Sequence, residues 1–180
     1  MTSRTLGVAL LAASTLVATT AAMAAAPTGT KTTTRPSIKM LSGFSFVPNR
    51  YTQDKTRFDK DVYSLKSGVT IQVRNMSSDE PHTLSIVKKS QVPKTVRTLG
   101  GCFEGGVCGA LAQAHQFPEG EGPPAVPVVN KGADGLDTTG DSVFFNPSQR
   151  RSLKLTAKKG ATLNFICIIH PWMQAQIRVR

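Results

Sequence analysis

With 180 residues, 39% of them hydrophobic, and a formal net charge of +11, the chain has material for one domain with a real core. The basic balance points to an acidic protein partner or an anionic envelope surface; nucleic acid is the bland alternative for any basic chain, and the expected export and the lack of a recognisable nucleic-acid motif argue against it. No internal repeat is visible, and the glycines from Gly100 to Gly109 lack the lysine and the strand–turn–helix setting of a phosphate loop.

In chain order, the first segment is a short basic start at Arg4 and an uncharged run from Leu6 to Ala26, rich in Ala, Leu, Val and Thr. Ala22-Met23-Ala24 puts small residues at the two positions a signal peptidase reads, so residues 1–24 are expected to be a secretory signal. The competing reading is an uncleaved anchor, because the run is just long enough to span a bilayer. Residues 25–36 are polar and Thr-rich, a flexible lead-in to a domain expected over 37–180. Export implies a periplasmic, extracellular or cell-envelope location.

Period-two alternation then dominates. Ile38, Met40, Phe44 and Phe46 share one parity, as do Val69, Ile71 and Val73, and then His82, Leu84 and Ile86. Leu153 and Leu155 follow, then Leu163, Phe165 and Cys167, and finally Ile177 and Val179. Lys66-Ser67-Gly68 and Lys158-Lys159-Gly160 mark turns before two of these strands. The pattern predicts an all-β, antiparallel Greek-key β-sandwich or barrel. Residues 90–140 break it and read as one long, partly ordered insertion, with a short helix expected near Gly109 to His115. The insertion is also of contrary charge, with three basic residues against five acidic ones.

Three cysteines in an exported chain leave one over. Cys102 and Cys108 lie close together in a Gly-rich stretch, where an oxidising compartment joins them; a second metal site with His115 is the alternative for this pair. Cys167 then needs a job. It opens the run Cys167-Ile168-Ile169-His170-Pro171-Trp172-Met173, which presents a soft thiolate, an imidazole and a thioether from one tight loop. His82, at the end of an earlier strand, offers a second imidazole. Two imidazoles, one thiolate and a weak axial thioether are the donor set of a trigonal copper site that carries electrons. Pro171 fixes its own φ and so stiffens the loop. Taken singly, each of these residues is an ordinary core side chain; the spacing is what points to metal.

The Cys-x2-His-Pro-Trp-Met run, Pro81-His82-Thr83-Leu84 after a strand ending at Asn75, and the Gly-x-Thr-Leu-x-Phe approach to Cys167 resemble the plastocyanin/azurin family of blue copper proteins, the cupredoxins. The short Cys-to-Met loop is amicyanin-like. The resemblance covers roughly Phe44 to Val87 and Asp141 to Arg180, not the insertion. It implies one type 1 copper per chain held by His82, Cys167, His170 and Met173. The implied function is single-electron transfer by a monomer between redox partners, with no small-molecule substrate. Thr83 stands where the family often has an asparagine bridging the two ligand loops, so its hydroxyl is the expected substitute, tuning the site from outside. Ile166 and Ile168 flank Cys167 where multicopper oxidases have histidines, which argues for a carrier and against an enzyme. Trp172 is expected either to pack beside the site or to dock a partner near His170. A copper-delivery protein without an electron-transfer role is the alternative function.

Overall fold

The computed structural model describes residues 35–120 and 122–180; the expected signal, residues 1–24, and most of the lead-in lie outside the described residues. The strands are β1 (Ser37–Leu41), β2 (Phe44–Val47), β3 (Tyr51–Asp54), β4 (Arg57–Phe58), β5 (Val62–Leu65), β6 (Thr70–Asn75) and β7 (His82–Val87), then, beyond two helices, β8 (Val128–Val129), β9 (Ser142–Phe145), β10 (Arg150–Lys154), β11 (Thr162–Ile166) and β12 (Gln174–Val179). One sheet runs β10-β6-β1-β4 and the other β5-β12-β11-β7-β9-β8. The chain crosses between them at β4–β5, β5–β6, β6–β7, β9–β10 and β10–β11, as a Greek-key sandwich requires.

The core between the sheets is built from the expected faces. Ile38, Met40, Ile71, Val73 and Leu155 from one side meet Leu84, Ile86, Phe165 and Ile177 from the other. Phe165 stacks edge-on against Phe58 with ring centroids 4.6 Å apart.

Two expectations need correction. The sheets are mixed, not purely antiparallel: β1 lies parallel to β6, and β5 parallel to β12. Each parallel pair joins strands that are distant in sequence, where no tight hairpin dictates direction. Phe44 and Phe46 do not share a face with Ile38 and Met40. The chain leaves the sheet at Ser42-Gly43, and β2 pairs with β3 in a separate hairpin that leaves both phenylalanines exposed. Parity carries a face only as long as the strand is continuous.

Residues 90–140 carry more order than a clipped loop. Helix α1 (Val96–Phe103) starts at Thr95, whose hydroxyl accepts from the Thr98 N–H while the Thr98 hydroxyl accepts from the Thr95 N–H. Helix α2 (Val107–His115) contains the expected helical stretch. A disulfide between Cys102 and Cys108 clips the two helices together. A side chain at Gly106 would collide with the Gly101 and Cys102 carbonyls, so this glycine is what lets α2 start so close to the end of α1.

The helices lie on the outer face of the larger sheet. Cys102, Cys108 and Leu111 form a second small core with Val87, Ile166 and Ile168. That is why β7 is buried on both faces. The far end of the segment is gathered by the buried Asp141 carboxylate, which accepts the backbone N–H groups of Lys131, Asp137 and Thr138, each at 2.9 Å.

His115, fully buried at the end of α2, bonds through Nδ1 to the Val126 carbonyl (2.6 Å) and through Nε2 to the Ser142 hydroxyl (2.7 Å). It does not join the disulfide cysteines in a metal cluster. Burial holds its imidazole below the usual range, so the folded chain keeps it neutral. In the unfolded chain it takes up a proton near pH 6.5. The stability this contributes is complete above that value and is lost as the pH falls from there through the folded value. The denaturant midpoint of the metal-free protein is therefore expected to drop between pH 7 and pH 5. In His115→Asn the slope of stability against pH should be shallower by up to one proton, about 1.4 kcal/mol per pH unit. An unchanged slope in that variant would remove His115 from the account.

Candidate metal centre

The two ligand-bearing segments are neighbours in one sheet. β7 pairs antiparallel with β11, Ile86 opposite Phe165 and Ser85 opposite Ile166. Cys167 follows β11 directly, and its side chain keeps the inward parity of Leu163 and Phe165. His82 opens β7 with the inward parity of Leu84 and Ile86. Residues far apart in sequence are thus delivered to one end of the sandwich by strand register alone.

His82 Nδ1 lies 3.9 Å from Cys167 Sγ, His170 Nδ1 lies 3.7 Å from it, and the two nitrogens are 3.1 Å apart. Among the described residues this trio is the group of His, Cys, Asp and Glu side chains placed to hold a metal ion. The point equidistant from three atoms at these spacings lies about 2.1 Å from each, close to the ~2.0–2.1 Å that an imidazole nitrogen takes to a small divalent ion. The triangle is therefore sized for one small ion, which His82, Cys167 and His170 would hold together. Its donors, two imidazoles and a thiolate, suit a soft or borderline metal and not magnesium or calcium.

The protonation states of the two imidazoles favour binding. His82 is pushed down to about 4, first by burial and then by the nearby His170 ring, against a smaller opposing pull from Asp54. Burial likewise lowers His170, with Glu80 and Asp54 acting the other way. Both rings are neutral at neutral pH, as ligation requires. His82 Nε2 is 2.9 Å from the Ser42 hydroxyl, so that nitrogen can carry the proton while Nδ1 presents its lone pair inward. Ser42 was not legible in the sequence as a partner of His82.

Cys167 is the one free cysteine and is buried. Burial raises its thiol, opposed by hydrogen bonds from Thr83 and from the His170 and Ile169 backbone. The Thr83 N–H donates to Sγ at 3.2 Å, and the Thr83 hydroxyl accepts from the Ile168 N–H at 2.9 Å. This threonine ties the His82 segment to the Cys167 loop by two bonds, one from its backbone and one to its side chain.

The loop itself is closed by its backbone. The Cys167 N–H donates to the Met173 carbonyl at 3.0 Å, and the Met173 N–H donates to the His170 carbonyl at 2.8 Å. Met173 is buried in the same core as Cys167, and Pro171 is buried beside it. Gln174 adds a tie absent from the sequence reading: its side-chain amide donates to the Pro171 carbonyl (2.8 Å) and to the Pro93 carbonyl (2.7 Å), joining the loop to the inserted segment. Upstream, buried Asn75 steadies the approach to His82. It donates to the Glu80 and Asn146 carbonyls and accepts from the Ser77 N–H.

Exposure is uneven across the site. His82 is completely buried, His170 is half-buried, and Trp172 is 44% exposed with its ring edge-on to His170 at 5.3 Å. Trp172 thus both covers one ligand and reaches the surface.

No family model and no curated protein matches the chain. Among solved structures it is similar to auracyanin A, described as a "blue" copper protein from the green thermophilic photosynthetic bacterium Chloroflexus aurantiacus, at 19% identity and TM-score 0.40 over 69% of this chain and 89% of that one. It is similar to a purple cupredoxin from Nitrosopumilus maritimus at 12% identity and TM-score 0.42, over 81% of this chain and 99% of the other. It is also similar to amicyanin from Paracoccus versutus at 10% identity and TM-score 0.38, over 81% of each chain. The ligand assignment is carried by the distances above: the His82–Cys167–His170 cluster fits a blue copper site.

Proposed function

We propose that this is an exported, monomeric type 1 copper protein that carries single electrons between redox partners. The observation that carries the reading is the triangle of His82 Nδ1, Cys167 Sγ and His170 Nδ1, with sides matched to one small ion. Met173, buried in the same core as Cys167 at the end of the loop, would supply a thioether as a further, weaker donor. A copper ion held there supplies a one-electron couple between its cupric and cuprous states.

The protein's own part is to keep the donors fixed. His82 and Cys167 are sealed from water, Thr83 locks their two segments together, and the backbone bonds across residues 167–173 hold the loop closed. A site that cannot relax around either oxidation state minimises reorganisation. His170 and Trp172 are where a partner's surface comes nearest to the ligand set. The basic balance of the chain favours an acidic partner there. Export rests on the character of residues 1–24.

Titration with Cu(II) is expected to produce an intense visible thiolate-to-copper band that saturates at one equivalent and is missing in Cys167→Ser. Voltammetry should then be reversible without loss of metal. A colourless complex that exchanges its copper readily would overturn electron transfer in favour of copper delivery.

A further inference from the structure

We propose that His115, in the inserted segment, is a positioning residue for the metal site, acting on Cys167 and its loop through a buried chain of three hydroxyls. The proposal deepens the copper reading and depends on it for one arm of the test only.

The chain runs outward from the ligand. The Thr83 N–H donates to Cys167 Sγ (3.2 Å), and the Thr83 hydroxyl accepts from the Ile168 N–H (2.9 Å). The Ser85 hydroxyl donates to the Thr83 hydroxyl oxygen at 2.9 Å and lies 2.6 Å from the Ser142 hydroxyl. Ser142 is 2.7 Å from His115 Nε2. Thr83, Ser85, Ser142 and His115 are each 0% exposed. Thr83 and Ser85 alternate with His82, Leu84 and Ile86 along β7, so they face the inserted helices and not the sandwich core. Ser85 and Ser142 are direct cross-strand partners.

The direction of the chain follows from one carbonyl. Val126 can only accept, so His115 Nδ1 carries the ring proton in that 2.6 Å bond. The neutral ring then has Nε2 as an acceptor, and Ser142 must donate to it. That commits Ser142's single proton. Ser85 is left with one proton and two acceptors within reach, Ser142 and Thr83. By drawing on Ser142, His115 makes Ser142 compete with Thr83 for the Ser85 proton. A Thr83 oxygen that receives less from Ser85 is a stronger acceptor for the Ile168 N–H. His115 thereby sets how firmly the first residue of the loop after Cys167 is held.

Two substitutions separate this from mere burial. His115→Asn can still donate to the Val126 carbonyl but places no acceptor at the Nε2 position. His115→Gln reaches that position with its side-chain carbonyl and can accept from Ser142. In the metal-free protein, amide exchange at Ile168, taken relative to the core amide of Phe165, should quicken by up to about twofold in His115→Asn, as expected when one hydrogen bond is weakened by roughly 10–30%. In His115→Gln it should stay close to wild type. Ser142→Ala interrupts the same chain without replacing a residue of the inserted segment and should match His115→Asn, with no further change when the two are combined. In the copper-loaded protein the reduction potential and the visible band maximum should shift together in His115→Asn and Ser142→Ala, and not in His115→Gln.

Unchanged Ile168 exchange in His115→Asn, or equal effects of Asn and Gln, overturns the proposal. If His115→Asn fails to fold, Ser142→Ala decides in its place. If the wild-type protein binds no copper, the function proposed above fails while the exchange measurement still decides the relay.

Discussion

His170→Gly is expected to recover copper-dependent colour when free imidazole is supplied, whereas His82→Gly is expected to stay colourless under the same treatment. Both substitutions remove one corner of the ligand triangle, and each should weaken copper binding by more than the hundredfold at the upper end for outer partners. What differs is access. His170 is half-buried, so the space left by its ring opens towards solvent, and a free imidazole can enter from outside. His82 has no exposed surface and is closed in by Ser42, Phe145 opposite it on β9, and its own strand. The check is the visible band on titrating imidazole into each copper-treated variant. Equal rescue of both, or of neither, would show that the two histidines are not placed as described.

The second large effect concerns residues 90–140. Replacing them with a short loop should leave a chain that aggregates or melts far below the intact protein. Val87, Ile166 and Ile168 are almost fully buried, and their cover comes from the inserted helices. Exposing an aliphatic side chain of this size costs about 1.5–3 kcal/mol. Three of them amount to roughly 5–9 kcal/mol, the scale of a whole domain's net stability. The loss adds to that of the Asp141 bonds and the Gln174–Pro93 tie. Thermal melting and light scattering of the shortened chain test this directly. A shortened chain that melts within a few degrees of the intact one would falsify the account of the second core.

The sandwich was legible because its strands obey period two without interruption: Ile71 and Val73, Leu84 and Ile86, Leu163 and Phe165 all face the core. The pattern misled only at Phe44 and Phe46, where two residues break the strand without changing parity. The inserted segment was harder for a different reason. Helix α1 contains two adjacent glycines, Gly100 and Gly101, and its capping pair is two threonines in place of a Glu or Gln partner, so neither propensity nor cap announces it. At the metal centre, Cys167 and His170 were marked by spacing and His82 by its inward face. Ser42, Gln174 and the Ser85–Ser142–His115 chain carried no such mark. Ser, Gln and His are common on surfaces, and only the fold shows these to be inside or against the site.

Closing the link between Cys102 and Cys108 does more than staple two helices. Until it forms, the nascent chain offers a soft cation three thiols, two of them in a stretch that has no imidazole within two residues on either side. Once it has formed, a single thiol is left to win the ion. Oxidation ahead of metal binding is therefore the order of events that leaves one thiol, beside two imidazoles, to take the ion.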